Sequence, residues 1–272
     1  MRGPQWEWRC FFTIPHENPI RADGVNLLRH HKAVQSEPEV RTDVYVVSNG
    51  YIGAKLRGGS QLEVKLCMDR KDLSEAYQKV VLAVDGAELS HMVHSIDSAL
   101  SSWENVVLAD GQPASSPKHR CPLFPAEAQV GVAQGTLAML MKLEKSRLYF
   151  MVGGQAVEQT DMCASYAWVP QGGASSPELS SLPWQQHPVQ FRSFCVESVD
   201  LQMVRAGVKS VMAQISSDNQ PESLANEEHC TAWLSSTCEA NALRPGCGIF
   251  GYPSFVAELA ASINNRNNGA EG

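Results

Sequence analysis

Residues 51–66 read YIGAKLRGGSQLEVKL, and the pattern within them decides the fold. Lys55 and Arg57 share one face of the first arm, while Leu62, Val64 and Leu66 alternate with Glu63 and Lys65 in the second. Period-two alternation marks a half-buried strand, and the Gly58-Gly59 pair between the two arms marks a tight turn. The expected element is an antiparallel hairpin with one charged and one apolar face. Such charge is most often the wet side of a sheet with cross-strand pairs. The fold therefore depends on whether other strands carry charge in the same way.

They do. In QWEWRCFF (5–12), Trp6, Trp8, Cys10 and Phe12 alternate with Gln5, Glu7 and Arg9. EVRTDVYVVSNGY (39–51) has a β pattern with a turn at Asn49-Gly50, and residues 130–169 resume it around a turn at Gly153-Gly154. VQFRSFCVES (189–198) reads as a further strand. Helical spacing is expected in NLLRHHKAVQ (26–35), through most of 70–108 with Asp72 or Ser74 as its cap, in VDLQMVRAGVKSVMAQI (199–215) and in GYPSFVAELAASINN (251–265). Polar, Pro/Gly/Ser-bearing excursions cover 110–129, 170–188 and 217–246. The sum is an α+β chain, one domain over 1–272 with three loop insertions, built on about eight antiparallel strands that suit a closed barrel with flanking helices. If the apolar faces pack outward against the helices, the charged faces line the barrel interior. The helix of 199–215 is expected to be an outer support.

Composition narrows the function classes. With 272 residues and 43% hydrophobic content the chain can bury a sizeable core. A net charge of -7 argues against a general nucleic-acid coat or a basic membrane-surface protein. No stretch has the length of a membrane span, and MRGPQWEWRCFF lacks a secretory leader; the expectation is cytoplasmic, with a nuclear location open. Eight scattered cysteines without a C-x-x-C pair indicate neither a disulfide framework nor a zinc ribbon. His91 and His94, three apart, read as a surface or capping pair, and His30-His31 and His229-Cys230 with Cys238 and Cys247 match no standard zinc spacing. There is no Gly-rich phosphate loop, nucleophile elbow or dinucleotide fingerprint.

QWEWR (5–9), KLRGGSQLEVK (55–65), EKSR (144–147), EQTD (158–161) and FRSFCVES (191–198) resemble, in order, the charged strands of the triphosphate tunnel metalloenzymes, the CYTH-like family. That resemblance implies an eight-stranded antiparallel tunnel barrel whose Lys and Arg residues hold a triphosphate or polyphosphate while glutamates hold Mg or Mn. Carried over position by position, it implies Arg9, Lys55, Arg57 and Lys65 as substrate-binding residues, with Arg147 and Arg192 as additions to the same anion site, Glu7 and Glu63 as catalytic, and Glu7 and Glu197 as metal ligands; nucleic acid is then expected only through a 5′-triphosphate end. Glu158 and Asp161 stand behind them. The chain departs from the family's E-x-E-x-K opening at Gln5 and Arg9, and Cys195 occupies the place of the carboxylate that precedes Glu197. Three functions stay open: Mg-dependent triphosphate hydrolysis, an interaction scaffold for a protein partner that keeps the barrel without its metal site, and a barrel for an apolar ligand. Which face of the 55–65 hairpin is enclosed separates them.

Overall fold

The computed structural model describes residues 4–14, 33–34, 37–46, 51–71, 74–83, 106–114, 116, 137–170, 178–216, 248–249 and 251–269. The 51–66 stretch is a hairpin of β3 (Ile52–Arg57) and β4 (Gln61–Lys71), turning where Gly58 and Gly59 take φ of 56° and 78°. Side-chain-bearing residues avoid those values, which is why two glycines stand there. Lys55 lies directly opposite Glu63 in the resulting register.

The other strands are β1 (Gln5–Ile14), β2 (Glu39–Val46), β5 (Ser74–Ala83), β6 (Leu137–Val152), β7 (Gln155–Pro170), β8 (Gln185–Ser198) and a two-residue β9 (Gly248–Ile249). They pair antiparallel in the order β5-β4-β3-β2-β6-β7-β8-β1, and β1 pairs again with β5 to close an eight-stranded barrel. The β5 pairing reaches only Gln5 to Glu7 of β1; farther along, β9 pairs with Cys10 and Phe11. Closure removes the free edge that an open sheet would present.

Once the sheet closes, the alternation of each strand fixes what lies inside. Trp8, Cys10 and Phe12 of β1 and Phe194 and Val196 of β8 point outward and pack on Val204 and Val211 of helix α1 (Leu201–Ser216). Asp200 caps that helix, its carboxylate accepting from the Gln202 N–H at 2.8 Å. Leu56, Leu62, Val64 and Leu66 are covered from outside by Leu108, Ala114, Leu179 and Leu182. The apolar faces therefore look out and the charged faces look in, and α1 is the expected outer support.

The second helix, α2 (Tyr252–Gly269), is placed differently. Its Tyr252, Phe255, Val256, Leu259 and Ile263 recur at helical spacing and pack against inward-facing Phe11, Met141, Leu143, Met162 and Phe191. It fills one end of the lumen. Gly53 makes room for this: a Cβ there would lie 2.5 Å from Cγ of Pro253.

Three expectations change. Residues 74–83, expected as helix, form β5; Val80 and Leu82 pack outward while Tyr77 and Lys79 face in, and only a strand in this place can bridge β4 and β1. Residues 106–108 are also extended, with Val107 bridged to Pro113, and 84–105, with His91 and His94, lie outside the described residues. The expected helix of 26–35 is described only at Ala33 and Val34, which pair with Phe150 and Tyr149 of β6. Finally β8 begins at Gln185, inside the expected 170–188 excursion, after a single 3-10 turn at Leu179–Ser181. The Asn49-Gly50 turn, His30-His31, the 217–246 excursion and Cys247 lie outside the described residues. No described helix is long and apolar enough to cross a membrane.

Candidate functional site: a charged chamber inside the barrel

Above α2 the lumen is lined by ionisable side chains, each placed there by strand alternation. The lowest tier belongs to β2, β3 and β6. Lys145, fully enclosed, donates to Asp43 at 2.8 Å and to the Tyr45 hydroxyl at 2.7 Å. Lys55 bridges Asp43 at 3.3 Å and Glu63 at 3.2 Å. The Tyr252 ring of α2 closes this tier from below, 3.8 Å from Lys145 Nζ and 4.3 Å from the Arg9 guanidinium carbon, distances at which the electron-rich face of a ring attracts cations. A small cavity lies here, lined by Tyr45, Gly53, Lys55, Glu63, Lys65, Tyr252 and Pro253.

The middle tier centres on Glu7 and Glu158. One oxygen of Glu7 accepts from Arg9 at 3.0 Å and the other from Lys65 at 2.8 Å. Arg9 also donates to Glu158 at 2.8 Å and to Ser193 at 3.2 Å. Glu158 in turn holds Arg147 at 2.5 Å and accepts from the Thr160 hydroxyl at 2.9 Å. At the mouth, Arg57 pairs with Glu63 at 2.7 Å, Arg41 with Asp43 at 3.1 Å, Arg147 with Glu39 at 3.6 Å, and Lys79 with Glu197 and the Gln5 amide. The side chains of Arg57 and Glu197 are each 31% exposed there.

The electrostatics follow from burial opposed by partners. Burial alone raises a carboxyl pKa, yet Lys55, Lys65 and Arg57 overcome it at Glu63 and hold that group at about 2. Glu158 is likewise held at about 2, by Arg9 and Arg147. At Glu7, Lys65 and Arg9 outweigh burial and keep the carboxyl well below its ordinary value. Burial and the neighbouring Lys55 push Lys145 down, with Asp43 opposing. Burial lifts the Cys195 thiol far up, with Arg9 opposing, so it is a neutral wall residue.

Among the described residues eight Lys and Arg side chains (Arg9, Arg41, Lys55, Arg57, Lys65, Lys79, Lys145 and Arg147) face six Asp and Glu side chains (Glu7, Glu39, Asp43, Glu63, Glu158 and Glu197) in this chamber. The interior is thus locally basic within a chain of net charge -7.

The structure gathers Glu7, Arg9, Lys55, Arg57, Glu63, Lys65, Arg147 and Glu197 around this one space. It does not gather Arg192, whose neighbours in sequence, Phe191 and Ser193, face inward. Arg192 points outward and forms a two-pronged pair with Asp161 at 2.6 and 2.8 Å. Glu7 and Glu197 are directly opposite across β1 and β8, and the Gln5 amide lies beside them through Lys79. No cluster of three or more His, Cys, Asp or Glu groups suited to a metal occurs among the described residues. Two carboxylates and an amide oxygen are still hard oxygen donors of the type that Mg or Mn would take.

Asp43, Tyr45, Lys79, Lys145 and Tyr252 are not among the site residues expected from the sequence. Asp43 and Tyr45 continue the alternation of Glu39 and Arg41, and Lys145 lies two residues before Arg147 on the same face; period two would have found all three. Lys79 was hidden by the helical reading of its segment. Nothing local marks Tyr252.

No protein-family model and no curated protein matches this sequence. Among solved structures the chain is similar to a putative adenylyl cyclase from Hippeastrum, described as having a dominant triphosphatase activity, at 10% identity and a TM-score of 0.32, over 77% of this chain and 88% of that one.

Proposed function

We propose that the chamber binds a triphosphate-bearing molecule or inorganic polyphosphate together with a divalent cation. The observation that carries this reading is the surplus of Lys and Arg enclosed in a closed barrel and open to solvent at Arg57, Lys79 and Glu197. Enclosed cations cost several kcal/mol each unless compensated. In the free protein the carboxylates compensate most of them. A chain of phosphates supplies the same charge in a denser form, and arginine forks and lysine point charges are suited to it.

Mg or Mn would be held by Glu7 and Glu197, supplying charge neutralisation on phosphate oxygens. A cation held there would take the place of Lys65 and Lys79 on these carboxylates and let both turn toward phosphate, while Arg9 keeps Glu158. Glu7 and Glu63 carry depressed pKa values. A carboxylate of that kind is a poor proton acceptor at neutral pH. Their role is to hold and orient charge, and binding is better supported than rapid hydrolysis.

Thermal unfolding tests the reading. Tripolyphosphate with Mg at a hundredfold excess over its Kd adds about 2.7 kcal/mol, or about 5–10 °C for a chain of this size. Lys55→Ala with Arg57→Ala removes the shift, and no shift in the unaltered protein sinks the reading.

A second reading, a non-catalytic scaffold for a protein partner, is favoured by one observation: each buried chamber cation already has a carboxylate or hydroxyl partner, so the interior needs no ligand to be stable. Release of phosphate from triphosphates with Mg or Mn, lost in Glu7→Gln, excludes it.

A further inference from the structure

The chamber has a floor. Tyr252 is 3% exposed and is held at a fixed height. The Gly251 N–H donates to Glu75 at 2.7 Å, and Glu75 is itself fixed by the Tyr77 hydroxyl and by Arg70 at 2.9 Å. Pro253 lies against the bare backbone of Gly53. Beneath the ring, Phe11 meets it edge-on at 5.4 Å, and Phe255, Met141, Leu143 and Phe191 fill the lumen. At the other end Arg57 and Lys79 reach solvent. From Gly53 beside the floor to Arg57 at the mouth, β3 climbs about 10 Å along the barrel axis, given the rise per residue and an ordinary strand tilt.

We propose that the chamber is blind, that it admits only a free end of a linear phosphate chain, and that Tyr252 sets how deep that end can go. This rests on the phosphate-chain reading above. The middle of a long polyphosphate would have to pass through the barrel, carrying its charges past Phe191, Met141 and Leu143, apolar side chains that offer no hydrogen bond in place of water. A chain end meets no such obstacle. It comes to rest in the small cavity over Tyr252, against Lys55 and Lys65. Phosphates beyond the depth of the chamber remain outside the mouth and meet no enclosed cation.

Two measurements test this on the full chain. In sedimentation with long polyphosphate of defined length and Mg, the unaltered protein binds at most one copy per chain end, however long the chain. In calorimetry with pyro-, tripoly- and tetrapolyphosphate, affinity rises with length and then levels off; Tyr252→Phe keeps the levelling point and Tyr252→Ala moves it to a longer chain. More copies than ends, or a levelling point unmoved in a folded Tyr252→Ala, overturns the inference while leaving phosphate binding intact. If Tyr252→Ala does not fold, the count per chain decides alone. Absence of binding by every phosphate chain overturns both this inference and the reading beneath it.

Discussion

The two halves of the lumen are built from the same strands and solve the inside of a barrel in opposite ways. In the α2 half, Phe11, Met141, Leu143, Met162 and Phe191 meet an inserted helix and form an apolar core. In the other half, Glu7, Arg9, Lys55, Lys65, Lys145 and Glu158 are equally enclosed but neutralise one another by contact. Apolar packing tolerates exchange of one group for another of similar volume. A network of buried charge does not, because losing one partner strands the other. The apolar half is therefore a foundation, and the charged half can exchange partners and is the half suited to a ligand.

Acid should separate the halves most strongly. Glu63 and Glu158 are held at about 2, below the ordinary 4.5. The folded state therefore binds fewer protons than the unfolded one between those values, and the stabilisation is complete above 4.5 and lost as pH falls toward 2. Each carboxyl contributes at most about 3 kcal/mol. Urea midpoints measured from pH 7 down to 3 should fall steeply below pH 5, and a flat profile would break the comparison.

Asp43→Ala should cost the next largest amount, about 3–5 kcal/mol in urea unfolding, because it strands Lys145 in the interior without a carboxylate and leaves Lys55 with Glu63 alone. A loss below 1 kcal/mol would show that these cations shed their charge or find water at little cost. Within the apolar half, Gly53→Ala drives a methyl group to 2.5 Å from Pro253, a clash expected to cost about 1–3 kcal/mol. Because Pro253 belongs to the floor, the same change should also alter phosphate-chain binding by calorimetry.

The smallest effect is expected outside the barrel. Arg192→Gln breaks the pair with Asp161, whose side chain is 41% exposed, and exposed pairs are worth about 0.2–1 kcal/mol. Tripolyphosphate binding by this variant should equal that of the unaltered protein. A loss comparable to that of the Lys55 and Arg57 changes would return Arg192 to the binding residues.

Much of this was legible in the chain itself. Alternation in 5–12 and 55–65 determined two-faced strands, and the Gly-Gly pairs determined their turns, because both are properties of a few neighbouring residues. Helical spacing likewise determined that 251–265 is a helix. Closure was not local. The pairing of β1 with β5 made a strand of 74–83, since a segment with mixed apolar spacing adopts whatever the neighbouring edges require. Only closure enclosed Lys55 and Arg9 and turned Arg192 outward, since facing is settled by register across three strands. And only the tertiary structure put Tyr252 beneath Lys145, joining residues more than a hundred positions apart: an amphipathic helix buries its apolar stripe wherever an apolar surface of matching shape is left, and here that surface was inside the barrel.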